Sequence, residues 1–289
     1  MKSTITVLLA VLALLIVNIT FSVSNSHAQW QTDVRLTNAP DTSGNYTSHS
    51  KYIVSNGNLV HIVWWDKRDG NKEIYYKRSI NNGINWGEDT RLTNNTAWSV
   101  YPAVSVSASN VHIVWHDTRD GFQEIYYKRS TDEGITWGAD TRLTVHTTGS
   151  AAYPSVVVSG LLVHVFWHDN RDGNTEIYYK RSTDGGVNWE TDMRLTNFTG
   201  NSFFPSCEVS GSVVRVAWSD NREGTYQVYH KFSTDAGSQI LICLQYFIII
   251  LRQKVHSFIL HGVTIATEIM RYIISVQLTR SSAGAQILV

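Results

Sequence analysis

The groups best able to do chemistry in this chain sit in a segment that occurs four times. Trp64-Trp65-Asp66-Lys67-Arg68-Asp69-Gly70 returns as Trp115-His116-Asp117-Thr118-Arg119-Asp120-Gly121. It returns again over Trp167 to Gly173, and over Trp218 to Gly224 with Glu223 in the second acidic place. An Asp and an Arg two residues apart across a turn suit ion pairing and capping of backbone N–H groups. A unique catalytic site occurs once per molecule, so groups present in every copy are expected to be scaffold first. A ligand role for Arg68, Arg119, Arg171 and Arg222 remains the alternative. His61, His112 and His164 also recur, and the fourth copy has Arg215 there. Metal binding needs ligands converging on one point, whereas regular copies spread these histidines apart. No metal, no cofactor and no catalytic residue is assigned.

Aromatic residues unique to one copy are more informative. Tyr46, Trp98, Phe198 and Phe203 lie in the segments joining one copy to the next. Rings beside Arg and Asp suit a polyol or glycan, since rings stack on sugar faces and charged groups bond hydroxyls. Plugging gaps between repeats is the competing role. With 24 basic and 24 acidic residues the formal charge is zero, which gives no electrostatic case for nucleic acid or an anionic membrane.

The elements that must hold these residues follow from the period. The repeated tryptophans are 51, 52 and 51 residues apart. Between them recur Glu-Ile-Tyr-Tyr-Lys-Arg-Ser and then Arg-Leu-Thr. Each unit reads as four short strands of about 4–7 residues with Gly or Asn/Asp turns. Four antiparallel strands per fixed period describe a β-propeller blade. Blades are expected near 46–93, 97–144 and 149–196, with a fourth from about 201. Asp33-Val34-Arg35-Leu36-Thr37 matches a fourth strand and is expected to close the ring by joining the last blade.

The turn between third and fourth strands is the most specific motif. It reads Ser130, Asp132, Gly134 and Trp137 in the pattern S-x-D-x-G-x-x-W. Ser182, Asp184, Gly186 and Trp189 repeat it, and Ser79, Asn81, Gly83 and Trp86 keep an acceptor oxygen. Ser233, Asp235 and Gly237 begin a fourth copy, but no Trp follows. The Asp or Asn oxygen is expected to cap its own turn, Gly to take the positive φ, and Trp to pack the turn on its blade.

These boxes resemble those of the sialidase superfamily and its Asp-box, or BNR-repeat, relatives, over roughly residues 33–237. The resemblance implies an all-β propeller, of an expected six blades, with the boxes on the face opposite the active site. It also implies that the Asp-x-Arg-Asp loops share the active-site face. Sialidases use three arginines on a substrate carboxylate, a Tyr–Glu nucleophile pair and an Asp acid/base. Their first arginine lies in an Arg-Ile-Pro type motif, where this chain has Asn45 to Lys51. The expectation is therefore a non-catalytic, secreted propeller binding a glycan or cell-surface ligand. The alternative is an exo-sialidase-type glycoside hydrolase, truncated.

The ends read differently. Lys2, the apolar run Val7 to Val17 and Ser26-His27-Ala28 fit a signal peptide over residues 1–28. The mature chain is then expected outside the cytoplasm, secreted or periplasmic, with no membrane insertion after cleavage. Residues 29–237 form the repeat region, and 238–289 do not continue it. Reading the codons from Ser257 onward in a shifted frame, permitted choices yield VHIAW, then SDNRDGNNEIYYKRSTD, then ISWGADTR. Only the box glycine is not recovered. A frameshift between Gly237 and Ser257 is the expectation. An apolar anchor over Ile240 to Leu251 is too short to span a bilayer. Resequencing the gene is expected to show these codons; a frame without them refutes the shift. A chain that stops inside a blade exposes a strand edge and is expected to be only marginally soluble. Thermal melting of the chain as written, set against the frame-restored one, measures that difference.

Overall fold

A computed structural model describes residues 31–44 and 51–238. Tyr46, the signal peptide and the tail beyond Ser238 lie outside the described residues. The chain divides after Asn38 into two units. In the first, residues 31–38 form no strand, so the expected ring-closing strand is not observed there. Arg35 nevertheless donates from Nε to the Thr37 carbonyl at 2.7 Å.

From Ala39 on, the described residues contain no helix and build four antiparallel sheets. The second is β6 (Ser99–Ser107), β7 (Asn110–Asp117), β8 (Glu124–Ser130) and β9 (Thr141–Arg142), in sequence order. The third repeats it with β10 (Ala151–Ser159), β11 (Leu162–Asp169), β12 (Glu176–Ser182) and β13 (Met193–Arg194). The fourth has β14 (Ser202–Ser210), β15 (Val213–Asp220) and β16 (Gln227–Ser233). In the first, β1 (Ser43–Gly44) and β2 (Ile53–Asn56) both pair with β3 (Leu59–Asp66), followed by β4 (Glu73–Ser79) and β5 (Thr90–Arg91). Its first strand is thus split, and the blade begins before residue 46.

Strand lengths depart from the expected even range: nine, eight and seven residues, then two. The fourth strand is short because a side chain takes over its ladder. Leu143 N donates to Ile125 O at 2.8 Å, while Thr144 Oγ1 accepts from Ile125 N at 2.8 Å. The same substitution of hydroxyl for carbonyl occurs at Thr93 and Thr196.

Burial lies between sheets rather than within them. Val63, Trp65, Ile74 and Tyr76 of the first sheet pack with Val104, Ile113 and Trp115 of the second. Equivalent clusters join the second sheet to the third and the third to the fourth. These faces alternate with the pleat, so each blade needs a neighbour.

The boxes act at this level. Ser130 Oγ accepts from Gly134 N at 2.8 Å, and Asp132 Oδ1 accepts from Thr136 N at 2.8 Å. Asn81 does the same for Asn85 N at 2.8 Å. The tryptophan also reaches past its own blade, and Trp137 lies against a cluster shared by the first and second sheets. Trp137 meets Tyr76 of the preceding blade edge-on at 4.9 Å, and Trp189 meets Tyr127 likewise. The same tyrosine hydroxyls bond His61 and His112 Nδ1 at 2.7 and 2.8 Å. They fill the space that a Cβ at Gly134 or Gly186 would need, and both glycines have positive φ. Arg78, Arg129 and Arg181 complete the latch, each donating to a carbonyl in the next box: Glu133, Gly185 and Ala236. A fixed sequence period therefore reports a fixed contact from blade to blade. Beside Tyr179 the described residues line a cavity of about 370 Å³, with Phe166, Met193, Leu195 and Val214 on its walls.

A box that works between blades makes its copies unequal. Among the described residues no ring stacks on Trp86, the first box tryptophan. Trp137→Ala is expected to cost about 3–5 kcal/mol and Trp86→Ala well under half of that, measured by denaturant unfolding. Equal costs would place the tryptophan's role within its own blade.

Candidate functional site

The Asp-x-Arg-Asp loops and the segments entering each blade lie on one face. Thr118 N donates to Trp98 O at 3.1 Å and Asn221 N to Asn201 O at 3.2 Å. Asp66, Asp117, Asp169 and Asp220 lie beneath it, fully buried. Each accepts from the indole two residues before it: Trp64, Trp115, Trp167 or Trp218. Each also accepts from the arginine two residues later, at 2.5–2.6 Å. Burial works to raise the Asp66 pKa, but hydrogen bonds from Arg68, Ser43 and Trp64 outweigh it and hold it at about 2. Asp117, Asp169 and Asp220 are lowered by the same contest.

The candidate arginines are held on several sides. Arg68 also meets Asp89 at 2.7 Å and lies 4.4 Å over Tyr75. Arg119 and Arg171 repeat this with Asp140 and Tyr126, and with Asp192 and Tyr178. Arg222 differs: besides Asp220 it stacks over Phe198 at 3.5 Å and Tyr229 at 4.0 Å. Tyr75, Tyr126 and Tyr178 donate to Asp69, Asp120 and Asp172, and burial plus that bond raises all three phenols.

Of the candidate aromatics, Trp98 and Phe198 are exposed, at 56% and 47%. Lys72 lies between Trp65 and Trp98, 4.6 and 4.7 Å from the two rings. Phe203 is half-buried against His168 and reaches toward exposed Tyr226. Trp98 is thus braced by a lysine and Phe198 by an arginine, in separate copies.

Two features escaped the sequence reading. Tyr101, Tyr153 and Phe204 adopt positive φ of 53°, 51° and 56°, each at a register shift in its first strand. They form a continuous row: Tyr101 stacks on Tyr153 at 4.4 Å, and Tyr153 meets Phe204 edge-on at 5.0 Å. His116 and His168 pack against the row, and burial lowers their pKa to about 3 and about 4, leaving them neutral. The available signal was the recurring Tyr-Pro or Phe-Pro pair at 101–102, 153–154 and 204–205.

The second is His146, in the place held by Asn95 and Phe198 in the neighbouring copies. Its Nδ1 donates to Glu124 at 2.6 Å and its Nε2 to Asp169 at 2.9 Å, bridging two blades. Burial works against the charge, but the bonds to Asp169 and Glu124 prevail and raise its pKa to about 9.

Comparison with known proteins agrees on the fold. No family model and no curated protein matches the sequence. Among solved structures, a mutant of the Trypanosoma rangeli sialidase displaying trans-sialidase activity is 15% identical, with a TM-score of 0.50. The match covers 71% of this chain and 40% of that one. A Dyadobacter fermentans protein of unknown function is 13% identical at a TM-score of 0.52, covering 65% and 60%. The chain thus spans less than two thirds of either structure. The likeness establishes a sialidase-like β-propeller fold.

His146 makes this face pH-sensitive. Its folded pKa lies above the ordinary value of 6.5, so its contribution is fully present below about 6.5 and lost as pH rises through about 9. On the order of 3 kcal/mol of stability is expected to disappear across that window. His146→Asn, which copies Asn95, is expected to flatten the loss. Melting curves at pH 6 and pH 9.5 check it; an unchanged alkaline decline in the variant would refute the assignment.

Proposed function

We propose that the protein is a secreted propeller that binds glycans through its loop face without cleaving them. The observation that carries this reading is the pair of exposed rings, Trp98 and Phe198, each braced by a cation on a face of engaged carboxylates. Rings of this kind present flat apolar area to a sugar at little entropic cost. Asp69, Asp120, Asp172 and Glu223 each meet a tyrosine, and the buried aspartates each meet an arginine. A glycosidase needs one carboxyl raised to serve as an acid. On this face every carboxyl with a shifted pKa is shifted down. The phenols are shifted up, away from nucleophile character. The sialidase named among the structural neighbours makes a glycan the favoured ligand class. Secretion rests on the leader-like residues 1–28.

A glycan array probed with the purified protein tests the proposal. Binding is expected, weakened about three- to tenfold by Trp98→Ala or Phe198→Ala, the range of one aromatic contact. Clear release from a fluorogenic sialoside would favour the hydrolase instead. An array without signal would remove the glycan reading altogether.

A further inference from the structure

Three of the four sheets are finished by the same short outer strand, and residues in it and on either side of it have fixed tasks. Asp89 bridges Arg68 and Lys77, at 2.7 Å to each. Asp140 bridges Arg119 and Lys128, and Asp192 bridges Arg171 and Lys180. Arg91, Arg142 and Arg194 meet Asp69, Asp120 and Asp172. Leu92, Leu143 and Leu195 bond the carbonyls of Ile74, Ile125 and Ile177, which are fully buried.

The fourth sheet keeps the receiving half of this arrangement. Among the described residues nothing pairs with the outer edge of β16. Val228, the counterpart of those isoleucines, is 79% exposed. Arg222 and Lys231 stand where Arg68 and Lys77 stand, with no described carboxylate between them. Burial and the neighbouring Arg222 lower the Lys231 pKa. Glu223 holds the place of Asp69.

The matching half occurs elsewhere in the same chain. Residues 32–38 read TDVRLTN, against EDTRLTN at 88–94 and ADTRLTV at 139–145. Arg35 bonds the Thr37 carbonyl as Arg91, Arg142 and Arg194 bond Thr93, Thr144 and Thr196. Yet residues 31–38 form no strand, and the fourth sheet ends at β16.

We propose that the open edge of β16 is an assembly surface that takes residues 33–37 of a second copy of this chain as its outer strand. By the register of Tyr75 with Arg91 and Tyr76 with Thr90, Arg35 falls opposite Tyr229 and Val34 opposite His230. Asp33 then supplies the carboxylate for Arg222 and Lys231, Arg35 meets Glu223, and Leu36 covers Val228. One departure is Gln227, which replaces the glutamate at 73, 124 and 176, so Arg35 gains one acid rather than two. The contact joins unlike surfaces, so it propagates head to tail unless the rotation closes. Its affinity comes from main-chain bonds and its choice of partner from charge.

Sedimentation velocity of the full chain over a wide concentration range tests this. The sedimentation coefficient is expected to rise with concentration. Asp33→Lys or Lys231→Glu is expected to weaken association about tenfold, and the double variant to restore it. A peptide of residues 31–38 should compete, and a scrambled one should not. Peptide competition stands even where a substituted chain folds poorly. Hydrogen exchange at the Val228 and His230 amides should slow as association proceeds. A wild-type chain that stays monomeric overturns the proposal. So does protection of those amides independent of concentration, which would show that the chain covers its own edge. Single variants that associate like the wild type overturn it as well.

Discussion

The structure depends on one tyrosine hydroxyl in each of the first three blades. Tyr76, Tyr127 and Tyr179 each project from a third strand and bond the histidine on the second strand. Each then reaches the box glycine of the following blade. The histidine must be neutral to fit there, and burial together with the nearby arginine lowers its pKa to about 4. The glycine must lack a Cβ, and the box tryptophan closes over the ring where it is present. Each requirement is local, but the contact they make is between blades. A propeller built this way has no blade that is stable by itself, because its best-packed side chains are shared.

Above this latch the loop face is a rigid electrostatic frame. Asp66, Arg68 and Asp89 alternate in charge, and Tyr75 fills the space beneath the guanidinium. The buried aspartate stays ionised because at least three donor residues compensate its desolvation, which a single exposed pair does not do. Identical frames in successive blades leave little freedom for chemistry at the repeated positions. Freedom lies in the segments that enter each blade. One position carries Asn95, His146 and Phe198 in turn, and these give a neutral bridge, a charged bridge and an exposed ring.

Much of this was legible in the sequence, and the failures have physical causes. The period, the four strands and the capping oxygen of the box follow from residue types within one repeat. That Trp137 belongs to its neighbour's tyrosine does not, because a strict repeat looks the same whether a contact is made within a unit or to the next. The two-residue fourth strand was hidden by Thr144, whose hydroxyl imitates a backbone acceptor. Tyr101 and Tyr153 were hidden because an aromatic residue before proline reads as extended chain, and nothing local signals a left-handed φ. The charge of His146 depends on Glu124 and Asp169, residues 22 and 23 positions away on two blades.

The aromatic row also shows how a repeat can sustain strain. A bulky residue at positive φ costs about 1–3 kcal/mol, and here it recurs in adjacent first strands. An aromatic pair returns about 0.5–1.5 kcal/mol beyond simple burial. One strained tyrosine with one partner would scarcely break even. Tyr153 has Tyr101 on one side and Phe204 on the other, with His116 and His168 against it. The middle of the row therefore recovers more than its ends, and the bulge is stabilised only when blades stand side by side. Tyrosine latch and aromatic row work by the same rule at different depths of the blade: a conformation unfavourable within one repeat is stabilised by the next.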